Sequence, residues 1–399
     1  MNHRSHHRRT SDSRVRQPRS ASWVEVDLGA VRHNLRVLCD LIGPACSVWA
    51  VVKANAYGHG AVPVARTALE GGAAGLAVAS LGEAVQLRRA GLAAPILLLS
   101  AGDPRTASQV VRHGITQTLC SAEMAKALSR AAGRLGQTAD VHLKIDTGLG
   151  RLGVLPEEAA GLASLIANAP GLQLGGVFSH LATAEAADTH YAQEQFHRFS
   201  IAVGAVTDAG FSPGIRHLAN SAAALRFPSM RLDRVRTGLL VYGITPDAPG
   251  LAPLDLRPAL VWKTRLAFTK DLPAGSAISY GCTHVTRGDC RVAVLPLGYA
   301  DGYPRHASNR AQVLVGGQLC PVIGRVCMDH VIIDASPAGD ARPGDEAVLI
   351  GPQGTNAITA NQLAQWAETC MHEVTTVIGP RVARVYVDSP DVHSDAPAR

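Results

Sequence analysis

A lysine directly after a predicted buried strand is the first residue of this sequence that suggests chemistry. Residues 47–52 form an apolar and β-branched run, and Lys53 follows them at the start of a glycine-containing loop that ends at Gly60. A lysine in apolar surroundings has a lowered pKa and acts as a nucleophile or a base, whereas a lysine past a strand end is more often simply exposed. The rest of the chain decides between these interpretations.

An alternation of apolar runs and helical stretches indicates which elements position Lys53. Eight short apolar runs lie between residues 48 and 237, and amphipathic or alanine-rich stretches separate them. This alternation predicts an α/β fold with an N-terminal (β/α)8 TIM-type barrel, in which each strand is followed by a helix and the chemistry lies at the C-terminal strand ends. Polar residues lie at or just after these ends: Lys53, Lys144, Asp146, His180, Asn220, Ser221 and Arg236.

The sequence changes character after the predicted barrel, which we assign to residues 22–244. Strand-like segments then follow without intervening helices, which predicts a mostly-β C-terminal domain over residues 245–390 with a single clear helix at residues 359–369. Residues 23–27 alternate as a strand and are predicted to join that second domain. Residues 1–21 and 391–399 are predicted to be disordered tails, the first of them basic.

Composition excludes several classes of protein. The net charge is +6, but the first 20 residues carry six arginines against one aspartate, so the remainder is nearly neutral and a nucleic-acid partner is not expected. No apolar run approaches the ~20 residues that span a bilayer. The eight cysteines are scattered without a C-x-x-C pair, which predicts thiols in a cytoplasmic protein and no metal site.

A glycine-rich hexapeptide, residues 148–153, has the spacing G-x-G-x-x-G. It follows a barrel strand, and no acidic residue stands where a Rossmann fold requires one, so we reject a nicotinamide site. The glycines instead predict a tight turn that places Arg151 in the barrel mouth. The loops after the last two barrel strands often hold a phosphate, and a phosphate facing Lys53 suggests pyridoxal 5′-phosphate (PLP) as cofactor.

At these motifs the chain resembles the alanine racemases, over roughly residues 23–388. The most specific likeness is the lysine stretch, residues 51–60. Further matches follow in order: residues 148–153, 180–183, 220–222, 279–281 and 325–329. The resemblance implies a PLP-dependent isomerase that interconverts L-alanine and D-alanine as a homodimer with active sites shared between subunits.

The resemblance also implies which residues hold the cofactor. Lys53 would bind PLP covalently, and Arg236 would face the pyridine nitrogen, where a cation that keeps its proton leaves that nitrogen unprotonated. Tyr57, Ser221, Gly238 and Leu239 would contact the phosphate. The implied cofactor site comprises Lys53, Tyr57, His180, Asn220, Ser221, Arg236, Gly238, Leu239 and His372.

Two bases on opposite faces of the substrate suit a racemase, because the Cα proton leaves one face and returns to the other. The resemblance implies that Lys53 is one base and that Tyr280 of the partner subunit is the other. Since the unperturbed pKa of tyrosine is ~10, nearby cations must stabilise the phenolate, and Arg151 and His180 are the candidates.

The resemblance implies further roles around the substrate. Arg151 and the backbone at Met328 would hold the substrate carboxylate, with Asp329 in support. Lys144 matches a position that is a carbamylated lysine in many members of the family. The remaining mouth residues resemble the family's access corridor, although surface ion pairs are the alternative: Glu185, Tyr299, Arg305 and Arg325.

One departure from the family's pattern affects the expected substrate. His372 stands where the family usually has tyrosine beside the cofactor phosphate, so serine or another small amino acid is an alternative to alanine. A PLP-dependent decarboxylase and a non-catalytic PLP-binding protein of related barrel fold are further alternatives. The predicted second domain with Tyr280 argues against a simple carrier.

Overall fold

The computed structural model describes residues 20–390, so the predicted tails, residues 1–21 and 391–399, lie outside this range except for residues 20 and 21. In chain order, the first part contains β1 (Ser22–Asp27), α1 (Leu28–Ile42), β2 (Ser47–Val51), α2 (Lys53–Tyr57), α3 (Ala61–Glu70), β3 (Gly75–Val78), α4 (Leu81–Arg89), β4 (Ile96–Leu98), α5 (Ala107–Arg112), β5 (Thr116–Leu119), α6 (Ala122–Leu135), β6 (Ala139–Lys144), α7 (Ala159–Asn168), β7 (Leu172–Phe178), α8 (His190–Asp208), β8 (Ile215–His217), α9 (Ser221–Arg226) and β9 (Arg234–Thr237).

The predicted barrel is confirmed. Strands β2 to β9 form one parallel sheet in the order β8-β7-β6-β5-β4-β3-β2-β9. Two backbone hydrogen bonds span the seam between β8 and β9, from Asp233 N–H to Arg216 O (3.1 Å) and from Arg236 N–H to Ala219 O (3.0 Å). The sheet is therefore nearly closed, and the C-terminal ends of all its strands meet at one mouth.

The prediction that a helix follows every barrel strand is wrong at β9. A 3₁₀ turn, Leu239–Tyr242, follows that strand, and α1 packs on it through a hydrogen bond from the Asn34 amide to Val241 O (3.2 Å). Helix α1, which precedes the barrel strands in the sequence, thus packs where a helix after β9 would lie. Asp27 caps α1, because its side chain accepts from the Ala30 N–H.

The second part is mostly β. It contains β10 (Leu260–Arg265), β11 (Phe268–Leu272), β12 (Ala277–Ile278), β13 (His284–Val285), β14 (Cys290–Leu295), β15 (Gln312–Val315), β16 (Gln318–Pro321), β17 (Val331–Asp334), β18 (Glu346–Gln353), β19 (Asn356–Ile358), α10 (Ala360–Trp366), α11 (Met371–Thr376) and β20 (Ala383–Val387). Its main sheet has the order β16-β15-β18-β10-β1-β20, so β1 pairs with β10 and β20 and ties the N-terminal end of the described chain to this domain.

The prediction of a single helix in this domain is wrong. The chain turns at Glu368, whose φ is +55°, and a second helix, α11, follows. Its residues Val374 and Thr375 are β-branched and disfavour a helix by propensity, but both are buried, so tertiary packing decides the conformation. No helix within residues 20–390 is long and apolar enough to cross a membrane.

Candidate active site

A cavity of about 330 Å³ opens at the C-terminal ends of the barrel strands. Most of the site residues predicted from the sequence line it: Lys53, Tyr57, Lys144, Arg151, His180, Glu185, Asn220, Ser221, Arg236, Gly238, Leu239 and His372. They come from loops after five different barrel strands and from α11 of the second domain. The barrel therefore gathers side chains that are up to about 320 residues apart in the sequence into one site.

Lys53 begins a turn with unusual backbone angles, at the position where the sequence predicts the start of a glycine-containing loop. Residues 54–57 have φ values of +51°, +53°, +54° and +49°, so most of α2 is one turn of left-handed helix. Left-handed helix costs an L-residue roughly 1–2 kcal/mol. The turn places both Lys53 and Tyr57 on the cavity wall, four residues apart.

Hydrogen bonds between side chains and the backbone stabilise this turn. The Asn55 side chain accepts from the Ala61 N–H (2.9 Å), and the buried His59 ring lies 3.0 and 3.1 Å from two carbonyl oxygens of the turn. The Glu83 carboxylate accepts from the Ala54 N–H (2.6 Å). Several side chains thus compensate the backbone strain beside the lysine.

The surroundings of Lys53 favour its neutral amine. Burial lowers the pKa of Lys53, and the nearby charge of Arg151 lowers it further. The carboxylate of Glu83 acts in the opposite direction and raises it. An amine with a lowered pKa is available as a nucleophile and as a base, which is the chemistry expected from its position.

Tyr57, Ser221 and Gly238 form a small group that we call the anion corner. The Gly238 N–H donates to Ser221 Oγ (3.1 Å), and a Cβ built on Gly238 would lie only 2.5 Å from the Tyr57 hydroxyl oxygen. Glycine is therefore required to keep this corner open. Burial raises the pKa of Tyr57 to about 12, so its hydroxyl keeps a proton to donate. Hydroxyl and backbone N–H donors of this kind fit the phosphate of PLP.

Arg236 is fixed from several sides and is only 5% exposed. Its guanidinium donates to His217 Nδ1 (2.7 Å), to Ser179 O (2.8 Å) and to Leu218 O (3.1 Å). His217 in turn lies 2.7 Å from the ring of His142. Burial lowers the pKa of Arg236 to about 9, which still leaves it charged at neutral pH. A pyridine nitrogen placed against this rigid cation would stay unprotonated.

Lys144 lies at the end of β6 and is almost completely buried. Its Nζ sits 4.7 Å above the centre of the Phe178 ring. Burial lowers the pKa of Lys144 well below its usual value, and the charges of Arg236 and Arg151 act in the same direction. These surroundings therefore favour the neutral form of the Lys144 amine.

The glycine-rich hexapeptide turns as predicted. Gly148, Gly150 and Gly153 all have positive φ, and Arg151 lies on the cavity wall. The Asp146 carboxylate accepts from the N–H groups of residues 148–150 at 3.0, 3.0 and 3.1 Å. Asp146, one of the polar residues predicted at the strand ends, therefore shapes the loop that carries Arg151.

The other predicted site residues do not line this cavity. They lie on loops of the second domain, and we call them the C-terminal patch: Tyr280, Tyr299, Arg305, Arg325, Met328 and Asp329. Hydrogen bonds join these loops, from Ser279 Oγ to Arg325 O (2.6 Å) and from Tyr299 N–H to Cys327 O (3.1 Å). Tyr280 is 71% exposed and Met328 52% exposed. Within one chain, Met328 therefore does not share a wall with Arg151.

Phe178, His217 and Glu83 support predicted site residues but were not themselves predicted as site residues from the sequence. The Phe178 ring stacks parallel to the His217 ring with 4.6 Å between ring centres. The Arg236 guanidinium lies over the Phe178 ring and hydrogen-bonds to His217. A phenylalanine in an apolar run indicates only core, so no local signal marks it. Glu83 was detectable in principle, because Ser80-x-x-Glu83 is the spacing of a helix capping box.

A nearly closed barrel whose mouth holds a lysine of lowered pKa, a fixed arginine and an anion corner defines a class: barrel enzymes that act through a lysine amine. Family models place the chain more narrowly. The model described as alanine racemase, N-terminal domain, matches residues 26–246, and that of the C-terminal domain matches residues 259–386. The chain belongs to the alanine racemase family, and it is an isomerase.

Individual relatives agree with this assignment. Alanine racemases of Symbiobacterium thermophilum and Desulfovibrio desulfuricans are 48% and 46% identical over 92% of this chain, and the matches cover 97% and 98% of those proteins. The crystal structure of alanine racemase from Streptomyces lavendulae matches with a TM-score of 0.87 at 39% identity, covering 94% of this chain and 99% of that one. The decarboxylase and carrier alternatives are not favoured.

Proposed function

We propose that Lys53 and Tyr280 are the two bases of alanine racemisation in this enzyme and that PLP, bound covalently by Lys53, is its cofactor. The observation that carries the proposal is one cavity wall that joins a lysine of lowered pKa, the anion corner and the buried cation Arg236. When bound, PLP withdraws electrons from the substrate and so acidifies its Cα proton.

The residues of the chain divide the remaining work. On one face of the substrate, Lys53 takes the proton as an amine or returns it as an ammonium group. On the other face, Tyr280 takes the proton as a phenolate or returns it as a phenol. Arg151, an exposed cation on the cavity wall, pairs with the substrate carboxylate. The related structure from Bacillus anthracis has bound L-Ala-P, which supports a small ligand of this kind in the fold.

The active protein in this proposal is a homodimer. Tyr280 and Met328 belong to the exposed C-terminal patch and not to the cavity of their own chain. A symmetric dimer brings the patch of each subunit to the cavity of the other, which supplies the second base and a further carboxylate contact. His372, Glu185 and the patch residues Tyr299, Arg305 and Arg325 then surround the approach to the site.

Lys144 is proposed to be carbamylated. The Lys144 amine is buried, and burial and the charges of Arg236 and Arg151 favour its neutral form, which can add to carbon dioxide with release of one proton. The resulting carbamate anion would balance the two cations. Growth or incubation with carbon-13 bicarbonate should give a carbamate signal in the wild type. The signal should be absent from Lys144→Ala, and its absence from the wild type would contradict the modification.

The direct test of the proposed function is a racemisation screen of the purified protein over small L-amino acids, combined with visible absorbance. We expect alanine turnover and an absorbance band from covalently bound PLP, both lost in Lys53→Ala. Lys126→Ala, on the exposed face of α6, is the matched control and should keep both. A Lys53→Ala protein that retains band and activity would refute the assignment.

We also infer a cytoplasmic location. All eight cysteines are free thiols, including the exposed Cys282 and Cys370, as suits a reducing compartment. Cell fractionation followed by activity measurement tests this inference.

A further inference from the structure

Glu83 joins the start of the Lys53 turn to the start of helix α4. One carboxylate oxygen accepts from the Ala54 N–H (2.6 Å), and the other accepts from the N–H groups of Ala79 and Ser80 (both 2.9 Å). The capping box of α4 needs only the bonds on the second oxygen and the bond from the Glu83 N–H to Ser80. The bond to Ala54 therefore goes beyond what a helix cap requires.

That bond acts at the most strained part of the site. Ala54 is the first of the consecutive left-handed residues, and its N–H belongs to the peptide that directly follows Lys53. A hydrogen bond to a charged acceptor is roughly twice as strong as one between neutral groups, so Glu83 offsets part of the strain. By fixing this peptide, Glu83 also fixes the direction in which the Lys53 side chain leaves the strand.

We propose that Glu83 is a positioning residue for Lys53, which holds the peptide after the lysine and places a negative charge near its amine. The proposal deepens the proposed function, since it rests on Lys53 as a base. Glu83 contacts the backbone N–H of Ala54, so it acts on the reaction through the position and the charge of Lys53.

The charges around Lys53 show why this carboxylate matters. Burial and Arg151 lower the pKa of Lys53, and among the groups that shift it Glu83 is the one that raises it. Without Glu83 the amine would lose its protonated form more readily and return a proton less well in one direction of the reaction. Other titratable groups line the same cavity: Tyr57, Lys144, His180, Glu185, Arg236 and His372.

Three variants of the full chain separate positioning from simple helix capping. Glu83→Gln removes the charge and leaves one acceptor oxygen for two sets of N–H groups. Glu83→Asp keeps the charge but is one methylene shorter, so it cannot span from α4 to Ala54. Ser80→Ala weakens the same capping box while leaving the Glu83 carboxylate in place, and it serves as the matched control.

Two measurements apply to each variant. The first is the pKa of the Lys53 amine in the cofactor-free chain, read from the pH dependence of its acetylation by mass spectrometry. The second is kcat and KM in both directions of racemisation. We expect Glu83→Gln to lower the pKa of Lys53 and to lower kcat by roughly 10- to 100-fold, with a smaller change in KM. Glu83→Asp should have the wild-type pKa of Lys53 but a lowered kcat. Ser80→Ala should have the wild-type values of both.

Equal losses in Glu83→Gln and Ser80→Ala, with an unchanged pKa of Lys53, would show that Glu83 only caps α4 and would overturn the proposal. A wild-type pKa and kcat in Glu83→Gln would overturn it too. These failures are distinct from a failure of the proposed function, which would appear as racemase activity retained in Lys53→Ala.

Discussion

The barrel mouth and the C-terminal patch are two halves of one predicted site that differ in almost every physical respect. Lys144 and Arg236 at the mouth are 6% and 5% exposed, their pKa values are lowered by burial, and their neighbours fix them. Tyr280 in the patch is 71% exposed and stands on a strained loop, where Ser279 has a φ of +60°.

The difference shows which half a single chain completes. Burial and hydrogen bonding fix the charged side chains of the mouth within a single chain. The patch presents the proposed base Tyr280 and backbone groups to solvent, away from the cavity of the same chain. Its loops are nevertheless tied together by hydrogen bonds, as expected for a surface that is preformed for a partner. Four experiments sharpen or break this comparison.

Mixing two inactive variants has the largest expected effect. Lys53→Ala and Tyr280→Phe homodimers should each lose at least about 10²-fold in activity. A mixed dimer keeps one site with both bases if sites are shared, so random reassembly should restore about a quarter of the wild-type activity. Co-refolding the two purified variants and measuring alanine racemisation checks this. No recovery would mean that each chain builds its site alone.

Tyr280→Phe by itself should slow exchange of the Cα proton unequally for the two enantiomers of alanine. Loss of the hydroxyl should slow exchange of the Cα proton with solvent deuterium by about 10²–10⁴-fold for one enantiomer and much less for the other. Tyr386→Phe, at an exposed tyrosine of β20 outside the patch and the cavity, is the control and should leave the exchange rates similar. Equal losses for both enantiomers would count against two opposed bases.

A buried histidine of the barrel should also make the free energy of unfolding depend on pH. His59 is fully buried, and burial lowers its pKa to about 4. Between pH 6.5 and 4 the unfolded chain takes up a proton at this residue that the folded chain does not. The neutral His59 ring thus contributes fully to the free energy of unfolding above pH 6.5. This contribution is lost as the pH falls from 6.5 towards 4, by up to about 3 kcal/mol.

Urea unfolding at pH 7 and pH 5 measures this loss. His59→Gln should reduce the difference between the two pH values, whereas His306→Gln, at an exposed histidine of the second domain, should not. Identical pH dependence in the wild type and in His59→Gln would contradict the assignment.

His372→Tyr should have the smallest effect. The His372 ring lies 5.8 Å from the Tyr57 ring on the cavity wall, and burial followed by the charge of Lys53 lowers its pKa, so it is neutral at pH 7. A larger side chain there should narrow the cavity and raise the preference for alanine over serine, measured as the ratio of kcat/KM values, roughly tenfold. An unchanged ratio would show that this wall does not touch the substrate side chain.

Much of the fold follows from local patterns. The eight apolar runs correspond to β2 to β9, and the resulting barrel places Lys53, Arg236 and the anion corner at one mouth. The glycine-rich hexapeptide turns where its glycines predict. These features depend on residue type and on spacing within a few residues, and both are visible in a sequence.

Other features have no local signal. Helix α11 forms although its β-branched residues disfavour it, because the second domain buries them. The role of Phe178 under Arg236 arises from a contact between β7 and β9, which no periodicity encodes.

The sequence alone determined the barrel, the second β domain, the lysine at the strand end and the family to which the chain belongs. Only the tertiary structure decided that residues 54–57 form a left-handed turn, against the right-handed preference of alanine, and that Glu83 reaches across from α4 to hold it. It also decided that Tyr280 lies outside its own cavity. The reason is the same in each case: strain and exposure depend on contacts between residues distant in the chain, and one-dimensional spacing carries no information about them.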